Sequence, residues 1–392
     1  MKIKNQYSTV KKKKILCLVE NYLPGYKFGG PVRSIANFVE NLGDEYDIYV
    51  VCLIEEFLLY KDISFNKWNK IGKAKVYYIP NKFLKFFNIF RLLRDTKYDV
   101  IYLNSFFSIT FTIFPLFIRK LQLIKLTPCV IAPRGELAKN ALKIKKTKKS
   151  IYKFFSKIIR LYQNLFWQAS SELEANDIKR ELKNFAKSIY IAPDLISTDW
   201  TINNNIARQK NGNFKLIFLS RISPMKNLDF LLSVLSGISS PLELSIIGPK
   251  EDLLYWKHCN KLLKKLPTNI KINISDGVLP EQVYNKFNEH DLFVFPTRGE
   301  NFGHVVIESL SSGTPVLISD KTSWKEDPSF AIQVLPLDKY KWLTAIREWV
   351  KLSEDKLLAR KKAAIILANY IKLQNKDFIL KNKKFFDNIL NV

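Results

Sequence analysis

Cysteine and histidine are scarce in this 392-residue chain, and their scarcity excludes several classes of protein. The four cysteines form no CxxC pair and are far apart in sequence: Cys17, Cys52, Cys129 and Cys259. This spacing argues against a disulfide framework or a structural zinc site and predicts a reducing, cytosolic compartment. All three histidines lie in the C-terminal half: His258, His290 and His304. A catalytic triad that needs a histidine in the N-terminal half is therefore excluded, as is HExxH zinc chemistry.

Acidic residues are also few, with Asp+Glu 36 against Lys+Arg 63 and a net charge of +27. Such an excess predicts an anionic partner, which could be nucleic acid, a phosphorylated substrate or an anionic membrane surface. Only 12 of the basic residues are arginine, so most of the charge is on lysine rather than on the guanidinium that reads bases. The apolar fraction of 47% excludes a wholly disordered chain.

Long hydrophobic runs are nearly absent. The first apolar run, residues 15–19, ends at Glu20 and is too short for a signal peptide. Residues 100–118 carry no charge, which meets the length criterion for a membrane span. However, they include Asn104, Ser105 and Pro115 and divide naturally into a strand and a buried helix. We therefore predict no transmembrane segment.

Short β-branched runs alternate with helical stretches along the chain. Strands are predicted at 15–19, 46–53, 76–79, 100–104, 128–132 and 188–191, and again at 216–220, 242–247, 270–274, 292–296 and 315–319. This alternation is typical of parallel sheets covered by helices. We predict an α/β protein with two tandem Rossmann-like domains, at 1–198 and 213–370, joined by a linker at 199–212. The chain after residue 319 is expected to be helical, with a C-terminal helix at 371–392 that can cross back to the first domain.

The stretch 295–316 is the most informative part of the sequence. A strand runs into a polar loop, and Gly303 stands where a helix must begin, so free backbone N–H groups and a positive dipole end form an anion site. Glu300 precedes this helix and Glu308 lies within it, so both carboxylates can face one ligand. These carboxylates could accept hydrogen bonds from the hydroxyl groups of a sugar and a ribose. The alternative is one glutamate at a helix start and one solvated surface glutamate.

The spacing of Glu300 and Glu308, with Asn-Phe-Gly between them, resembles retaining glycosyltransferases of family 4 that build bacterial surface polysaccharides such as O-antigen and capsule. Other stretches match in order: 28–33 (FGGPVR), 132–137 (APRGEL), 219–227 (LSRISPMKN), 247–249 (IGP) and 315–320 (PVLISD). The resemblance covers residues 15 to 320. It implies the GT-B fold, two Rossmann-like domains with a deep cleft between them, and the transfer of a hexosyl unit from a nucleotide sugar, with UDP as the expected nucleotide.

The resemblance also implies residue roles in donor binding. Arg221 and Lys226 would hold the donor diphosphate, although in a lysine-rich chain they could be surface cations. Glu308 would bind the ribose hydroxyls and Glu300 the donor sugar. The other implied donor-binding residues in the loops are Gly29, Gly30 and Gly248. Backbone contacts to the sugar and phosphate are implied for Asn301, Phe302, Gly303 and His304.

The acceptor side is implied by the PRGEL stretch after the predicted strand 128–132. Arg134 could pair with phosphate, and Glu136 could orient or deprotonate an acceptor hydroxyl. Together with Glu300 they are the predicted catalytic residues. A local ion pair between Arg134 and Glu136 is the alternative.

Two departures from the family pattern bear on the mechanism. Asn104-Ser105 stands where many relatives have a histidine, and Pro193-Asp194 where relatives often have Pro-Asn-Gly. The absence of this histidine agrees with a front-face route that retains the anomeric configuration. In that route the leaving phosphate oxygen takes the proton of the acceptor. With no DxD pair in a suitable loop, we expect neither a catalytic metal nor a cofactor.

A basic block follows the PRGEL stretch, and no acidic residue occurs from Leu137 to Ser171. Apolar residues recur within the block at helical spacing through residue 166, which predicts an amphipathic helix. Either this helix packs on the core with a solvated lysine face, or it lies on an anionic membrane. The cations are Lys139, Lys143, Lys145, Lys146, Lys148, Lys149, Lys153, Lys157 and Arg160.

The sequence thus favours a cytoplasmic enzyme at the inner face of the membrane, transferring sugar to a lipid-linked glycan. The alternatives are a phosphorylase or epimerase of the same fold and a non-enzymatic protein that binds nucleic acid or an anionic surface. Nucleic acid is not expected as a partner, because no known binding signature is present.

Overall fold

The computed structural model describes residues 11–25, 29–54, 63–80, 84–144, 146–198 and 212–391. Phe28, Lys145 and most of the predicted linker, residues 199–211, lie outside the described residues. The remaining residues form two α/β domains, each built on its own sheet.

The first sheet has eight strands in the order β3-β4-β2-β1-β5-β6-β7-β8. All described pairings are parallel except that of β3 with β4. The central strand β1 pairs with β2 on one side and β5 on the other, so Ile15 lies opposite both Ile48 and Val100. The strands are β1 (Lys14–Leu18), β2 (Asp47–Ile54), β3 (Trp68–Ile71), β4 (Ala74–Pro80), β5 (Val100–Leu103), β6 (Cys129–Ile131), β7 (Phe166–Ala169) and β8 (Ser188–Ile191).

Helices cover both faces of this sheet, because strand side chains alternate between the faces and each face is apolar. Helix α1 begins with Gly30 and Pro31 and buries Val32, Ile35 and Val39, which lie on one helical face. The helices of the first domain are α1 (Gly30–Leu42), α2 (Lys85–Asp95), α3 (Phe114–Lys120), α4 (Lys139–Lys143), α5 (Lys146–Ile158) and α6 (Glu172–Leu182).

The second sheet has six parallel strands in the order β11-β10-β9-β12-β13-β14. They are β9 (Phe214–Leu219), β10 (Leu242–Ile247), β11 (Ile270–Ser275), β12 (Leu292–Phe295), β13 (Val316–Ser319) and β14 (Ile332–Leu335). The helices around them are α7 (Leu228–Leu235), α8 (Leu253–Leu263), α9 (Pro280–Asn288), α10 (His304–Ser311) and α11 (Lys339–Val350).

The last helix, α12 (Glu354–Leu390), packs on both domains. Its N-terminus is capped by Ser353, whose side chain accepts a hydrogen bond from the backbone N–H of Lys356. Ala364 and Ala368 join the core of the second domain, whereas Phe385 and Phe386 join that of the first. The helix therefore fixes how the two domains meet.

The predicted fold class, two tandem Rossmann-like domains, is confirmed, and each predicted strand is present within a few residues. Three strands were not predicted. Residue 166, assigned to an amphipathic helix, begins strand β7, because α5 ends at Ile158. The expectation of helix alone after residue 319 is also wrong, since β14 forms the edge of the second sheet, and β3 adds a hairpin to the first.

The uncharged stretch 100–118 divides as predicted. It contains strand β5, a single π-helical turn at Ile109–Ile113 and the start of α3. Among the described residues, no helix has the length and apolar character needed to cross a membrane.

Candidate active site

A cavity of about 540 Å³ lies between the two domains. Its lining comes from the carboxyl ends of strands in both sheets and from the loops and helix starts that follow them, where ligands of open α/β sheets bind. The first domain contributes Gly29, Gly30, Pro31, Arg33, Ser34, Arg134 and Asp194.

The two predicted diphosphate-binding cations follow β9 and line this cavity. Lys226 is nearly buried, with 12% of its side chain exposed, and its Nζ pairs with Glu300. The same Nζ lies 5.1 Å from the centre of the Phe295 ring. Arg221 is more open, and its Nη1 lies 2.6 Å from Oε1 of Glu251. Two positive charges are thus in place for a phosphorylated ligand.

Gly248 brings the loops after β9 and β10 into contact. Its φ of 149° lies in the region that side chains rarely adopt, and a Cβ there would lie 1.9 Å from the carbonyl oxygen of Ser220. Only glycine permits this approach. Gly248 therefore sets the position of the backbone that carries Arg221.

The start of α10 faces the cavity. Gly303, with a φ of 76°, caps the helix in the left-handed conformation. The preceding residues Glu300, Asn301 and Phe302 line the cavity together with Gly303 and His304. At a helix start, backbone N–H groups that lack a partner within the helix can bind an anion.

Glu308 lies one turn into α10 and pairs with Arg33 of α1, so this ion pair joins the two domains. Burial raises the pKa of the Glu308 carboxyl, and the Arg33 guanidinium opposes that rise. The carboxylate predicted to bind ribose is therefore held by a cation of the first domain.

Arg134 lines the cavity but is held deep in the first domain, with 9% of its side chain exposed. Its Nη1 pairs with Asp194, and its Nη2 lies 2.7 Å from both the hydroxyl of Tyr102 and Oδ1 of Asn104. Asn104 thus orients Arg134. The local ion pair between Arg134 and Glu136 that the sequence left open does not form.

Glu136 is not among the described residues that line the cavity. Its carboxylate accepts hydrogen bonds from the backbone N–H groups of Phe106 and Phe107, at 2.7 and 2.9 Å, and from the hydroxyl of Ser105. Burial raises its pKa, while these hydrogen bonds oppose the rise. This placement favours a structural role and argues against the predicted role as an acceptor base.

Four residues that no sequence prediction assigned to the site hold it together. Arg33 and Ser34 follow the loop glycines within one helical turn, so the rule that ligands bind at strand ends could have found them. Asp194 follows strand β8 in the same way, and Glu174 lies in the first turn of α6, after strand β7, which was not predicted. The Glu174 carboxylate accepts from the backbone N–H of Gly135 at 2.7 Å and, across the domain boundary, from Nδ2 of Asn301 at 3.0 Å.

The basic block forms α4 and α5, away from the cavity lining. In α5 Ser156 is the buried residue, and the apolar side chains of Ile151, Phe154, Phe155 and Ile158 are between 53% and 63% exposed. We call these four side chains the apolar ridge. The helix contacts the core through Tyr152 and leaves the apolar ridge exposed, so the interpretation in which this apolar face packs on the core is wrong.

The cations of the block are divided between the surface and local contacts. Lys146 and Lys148 are exposed at the start of α5. Lys149 donates to the carbonyl of Ala141 at 2.8 Å, and Lys153 pairs with Glu181. Lys139 and Lys143 lie in α4, Lys157 in the last turn of α5, and Arg160 just beyond it. In the part of the chain that the structure describes, no group of His, Cys, Asp and Glu side chains is suited to hold a metal ion.

Comparisons with known proteins agree with this architecture. Residues 201–326 match the family described as glycosyl transferases group 1. An uncharacterized 41.2 kDa protein in the cps region of Klebsiella pneumoniae is 24% identical over 315 residues, covering 76% of this chain and 80% of that protein. The D-inositol 3-phosphate glycosyltransferase of Rhodococcus erythropolis is 27% identical over 121 residues, 28% of this chain and 26% of that enzyme.

Among solved structures, Anabaena Alr3699/HepE in complex with UDP and glucose superposes with a TM-score of 0.70 at 15% sequence identity. The superposition covers 97% of this chain and 100% of that one. At this identity the likeness shows the fold, and it confirms the predicted GT-B architecture. Together with the family match, it supports a glycosyltransferase and favours this activity over a nucleic-acid-binding protein.

Proposed function

We propose that this protein is a retaining hexosyltransferase that takes a hexosyl unit from a UDP-sugar and adds it to a lipid-linked glycan during surface-polysaccharide synthesis. The observation that carries the proposal is the interdomain cavity, which brings two cations, a helix N-terminus and two glutamates around one space. The Klebsiella relative from a cps region and the UDP and glucose bound to the Anabaena neighbour support the choice of pathway and donor.

Each part of a UDP-sugar has complementary groups in this cavity. Arg221, Lys226 and the first turn of α10 provide positive charge for the diphosphate. Glu308 can accept hydrogen bonds from the ribose hydroxyls once Arg33 shares or releases its carboxylate. Glu300, which now pairs with Lys226, lies where it can accept from hydroxyls of the sugar.

The chemistry that these groups favour is departure of the nucleoside diphosphate. As the bond between the anomeric carbon and the phosphate oxygen lengthens, negative charge grows on that oxygen, and preorganised cations in a low-dielectric cavity stabilise it. We propose that the acceptor hydroxyl then attacks from the same face and gives its proton to the departing phosphate oxygen. This route needs no protein base, in agreement with the position of Glu136 outside the cavity.

Binding of UDP in the absence of metal is the first test. UDP and UDP-glucose at about 100 times their dissociation constants should add roughly 2.7 kcal/mol to the free energy of unfolding, or about 5 °C in melting temperature, with EDTA present. GDP and ADP should stabilise the protein less. We propose metal independence because Arg221, Lys226 and the α10 N-terminus already supply positive charge.

Glu308→Gln is the matched variant for this test. It keeps the shape of the side chain and removes the charge, and charge-assisted hydrogen bonds are worth about 1.5–3 kcal/mol, so UDP should bind at least about tenfold more weakly. Stabilisation only when Mg²⁺ or Mn²⁺ is added would overturn metal independence. Equal binding of UDP by the variant would overturn the ribose assignment.

For the acceptor side, we propose that the apolar ridge and the exposed lysines of α5 dock the first domain on the cytoplasmic face of an anionic membrane. Four exposed apolar side chains on one short helix are unfavourable in water unless a partner covers them. The exposed Lys146 and Lys148 make an anionic lipid surface the complementary partner. Docking there would bring the cleft to a lipid-linked acceptor.

Sedimentation with vesicles checks this docking. The protein should bind vesicles that contain anionic phospholipid at low salt and dissociate as salt rises. Changing Lys146, Lys148 and Lys157 to Gln should weaken binding at least about tenfold, because each cation near an anionic leaflet is worth about 1 kcal/mol. The matched control changes three exposed lysines of the second domain, Lys257, Lys261 and Lys264, to Gln. Equal losses in the two variants, or no binding by the wild type, would overturn the docking proposal.

A further inference from the structure

A chain of hydrogen bonds crosses the cavity from the first domain to the second. Arg134 pairs with Oδ1 of Asp194, and the hydroxyl of Ser34 donates to Oδ2 of the same carboxylate at 2.8 Å. Oγ of Ser34 also lies 3.1 Å from Nε2 of His304, the first residue of α10. All four side chains line the cavity and are nearly buried. Their hydrogen bonds are therefore screened little by water.

The chemistry of these groups permits one arrangement of protons. A guanidinium only donates, and an ionised carboxylate only accepts. The single proton of the Ser34 hydroxyl is given to Asp194, so its oxygen must accept from His304. Nε2 of His304 therefore carries a proton. Because burial lowers the pKa of this imidazole to about 4, the ring is neutral at pH 7 and its Nδ1 holds a lone pair.

The lone pair on Nδ1 can favour contact with one part of the proposed substrate, the sugar, over the diphosphate. A diphosphate offers acceptors alone, and a lone pair facing it would be unfavourable. A sugar offers O–H donors, which suit a neutral nitrogen acceptor. The ring of Phe302, whose centre is 4.8 Å from that of His304, packs beside the imidazole and limits its rotation.

We infer that Nδ1 of His304 accepts a hydrogen bond from a hydroxyl of the donor sugar, and that Ser34 and Asp194 are positioning residues that keep the proton on Nε2. The inference rests on the proposed function, because it presumes a nucleotide sugar in the cavity. It assigns a role in sugar recognition to the side chain of His304, where the resemblance implied only a contact from its backbone.

Nitrogen NMR of the imidazoles tests the inference directly. The chain has three histidines, so protein labelled with ¹⁵N-histidine gives a spectrum that His258→Gln and His290→Gln variants can assign. In the free protein at pH 7, His304 should show the Nε2–H tautomer. Addition of UDP-glucose should shift its Nδ1 resonance towards the hydrogen-bonded range, whereas UDP should leave that nitrogen unchanged.

Ser34→Ala is the informative variant. Without the hydroxyl, His304 should become a mixture of tautomers, and the KM for UDP-glucose should rise about threefold to tenfold, while the affinity for UDP stays within about twofold. Ser34→Thr keeps a hydroxyl and should retain the wild-type tautomer. This variant therefore separates the effect of the hydrogen bond between Ser34 and His304 from a general loss of packing.

The outcomes distinguish this inference from the proposed function. UDP-glucose binding with no change at Nδ1, or an Nδ1–H tautomer in the wild type, overturns the inference and leaves the transferase intact. If neither UDP nor UDP-glucose binds, the proposed function fails and the inference fails with it.

Discussion

Replacing Gly248 with alanine should destabilise the second domain by at least about 4 kcal/mol, beyond what most single substitutions cost. The added Cβ would lie 1.9 Å from the carbonyl oxygen and 2.6 Å from the carbonyl carbon of Ser220, and both atoms belong to backbone that no rotamer change can move. The φ of 149° adds strain of its own, because only glycine adopts it readily. The loop must shift or the domain must open.

Urea unfolding followed by tryptophan fluorescence measures this loss, and UDP titration of any folded fraction measures its effect on the site. Since Arg221 adjoins the displaced Ser220, nucleotide binding should fall together with stability. Gly212→Ala is the matched control, because a Cβ there meets no atom within 4 Å. A Gly248→Ala protein that unfolds at the wild-type urea concentration and binds UDP normally would contradict the contact between the two loops.

Removing the ammonium of Lys226 should lower turnover roughly 100- to 1000-fold, the usual cost of losing one preorganised charge that stabilises a developing anion. Lys226 is 12% exposed and adjoins the Phe295 ring, so its charge acts in a medium that screens it poorly. Lys226→Ala also leaves Glu300 without its cation next to an incoming diphosphate, which adds repulsion.

Steady-state kinetics with UDP-glucose separates these effects. The fall should be mainly in kcat, with a smaller rise in the dissociation constant for UDP, because the charge on the leaving group is greatest in the transition state. Lys261→Ala, an exposed lysine on α8, is the control and should behave as the wild type. Turnover within about threefold of the wild type for Lys226→Ala would remove this residue from the chemistry.

Local patterns in the sequence were sufficient to predict the architecture. Strands such as β1 and β10 are buried on both faces of their sheets, so they read as continuous apolar runs. The strands that were missed carry weaker signals. Strand β7 follows the amphipathic spacing of α5 without a clear break, and β14 is a short edge strand with one fully buried residue, Ile332.

The candidate site was predictable where it depends on position in the chain. Lys226, Glu300 and the Gly303 turn lie in loops that follow strands β9 and β12, and parallel strands place their carboxyl ends at one edge of the sheet. Glu136 also follows a strand, but its side chain turns to the amides of Phe106 and Phe107. Residue spacing predicts the path of the backbone, but it does not predict which hydrogen-bond partner a carboxylate will have.

By itself, the sequence determined the two Rossmann-like domains, the loops that form the cleft and the helix start at Gly303, because each depends on hydrophobic periodicity or on one residue's backbone freedom. Only the tertiary structure decided that Arg33 meets Glu308, that Asp194 joins Arg134 to Ser34, and that the apolar ridge of α5 stays exposed. The reason is physical. These contacts join segments far apart in the chain, and their geometry is set by how two sheets and the α12 helix pack together.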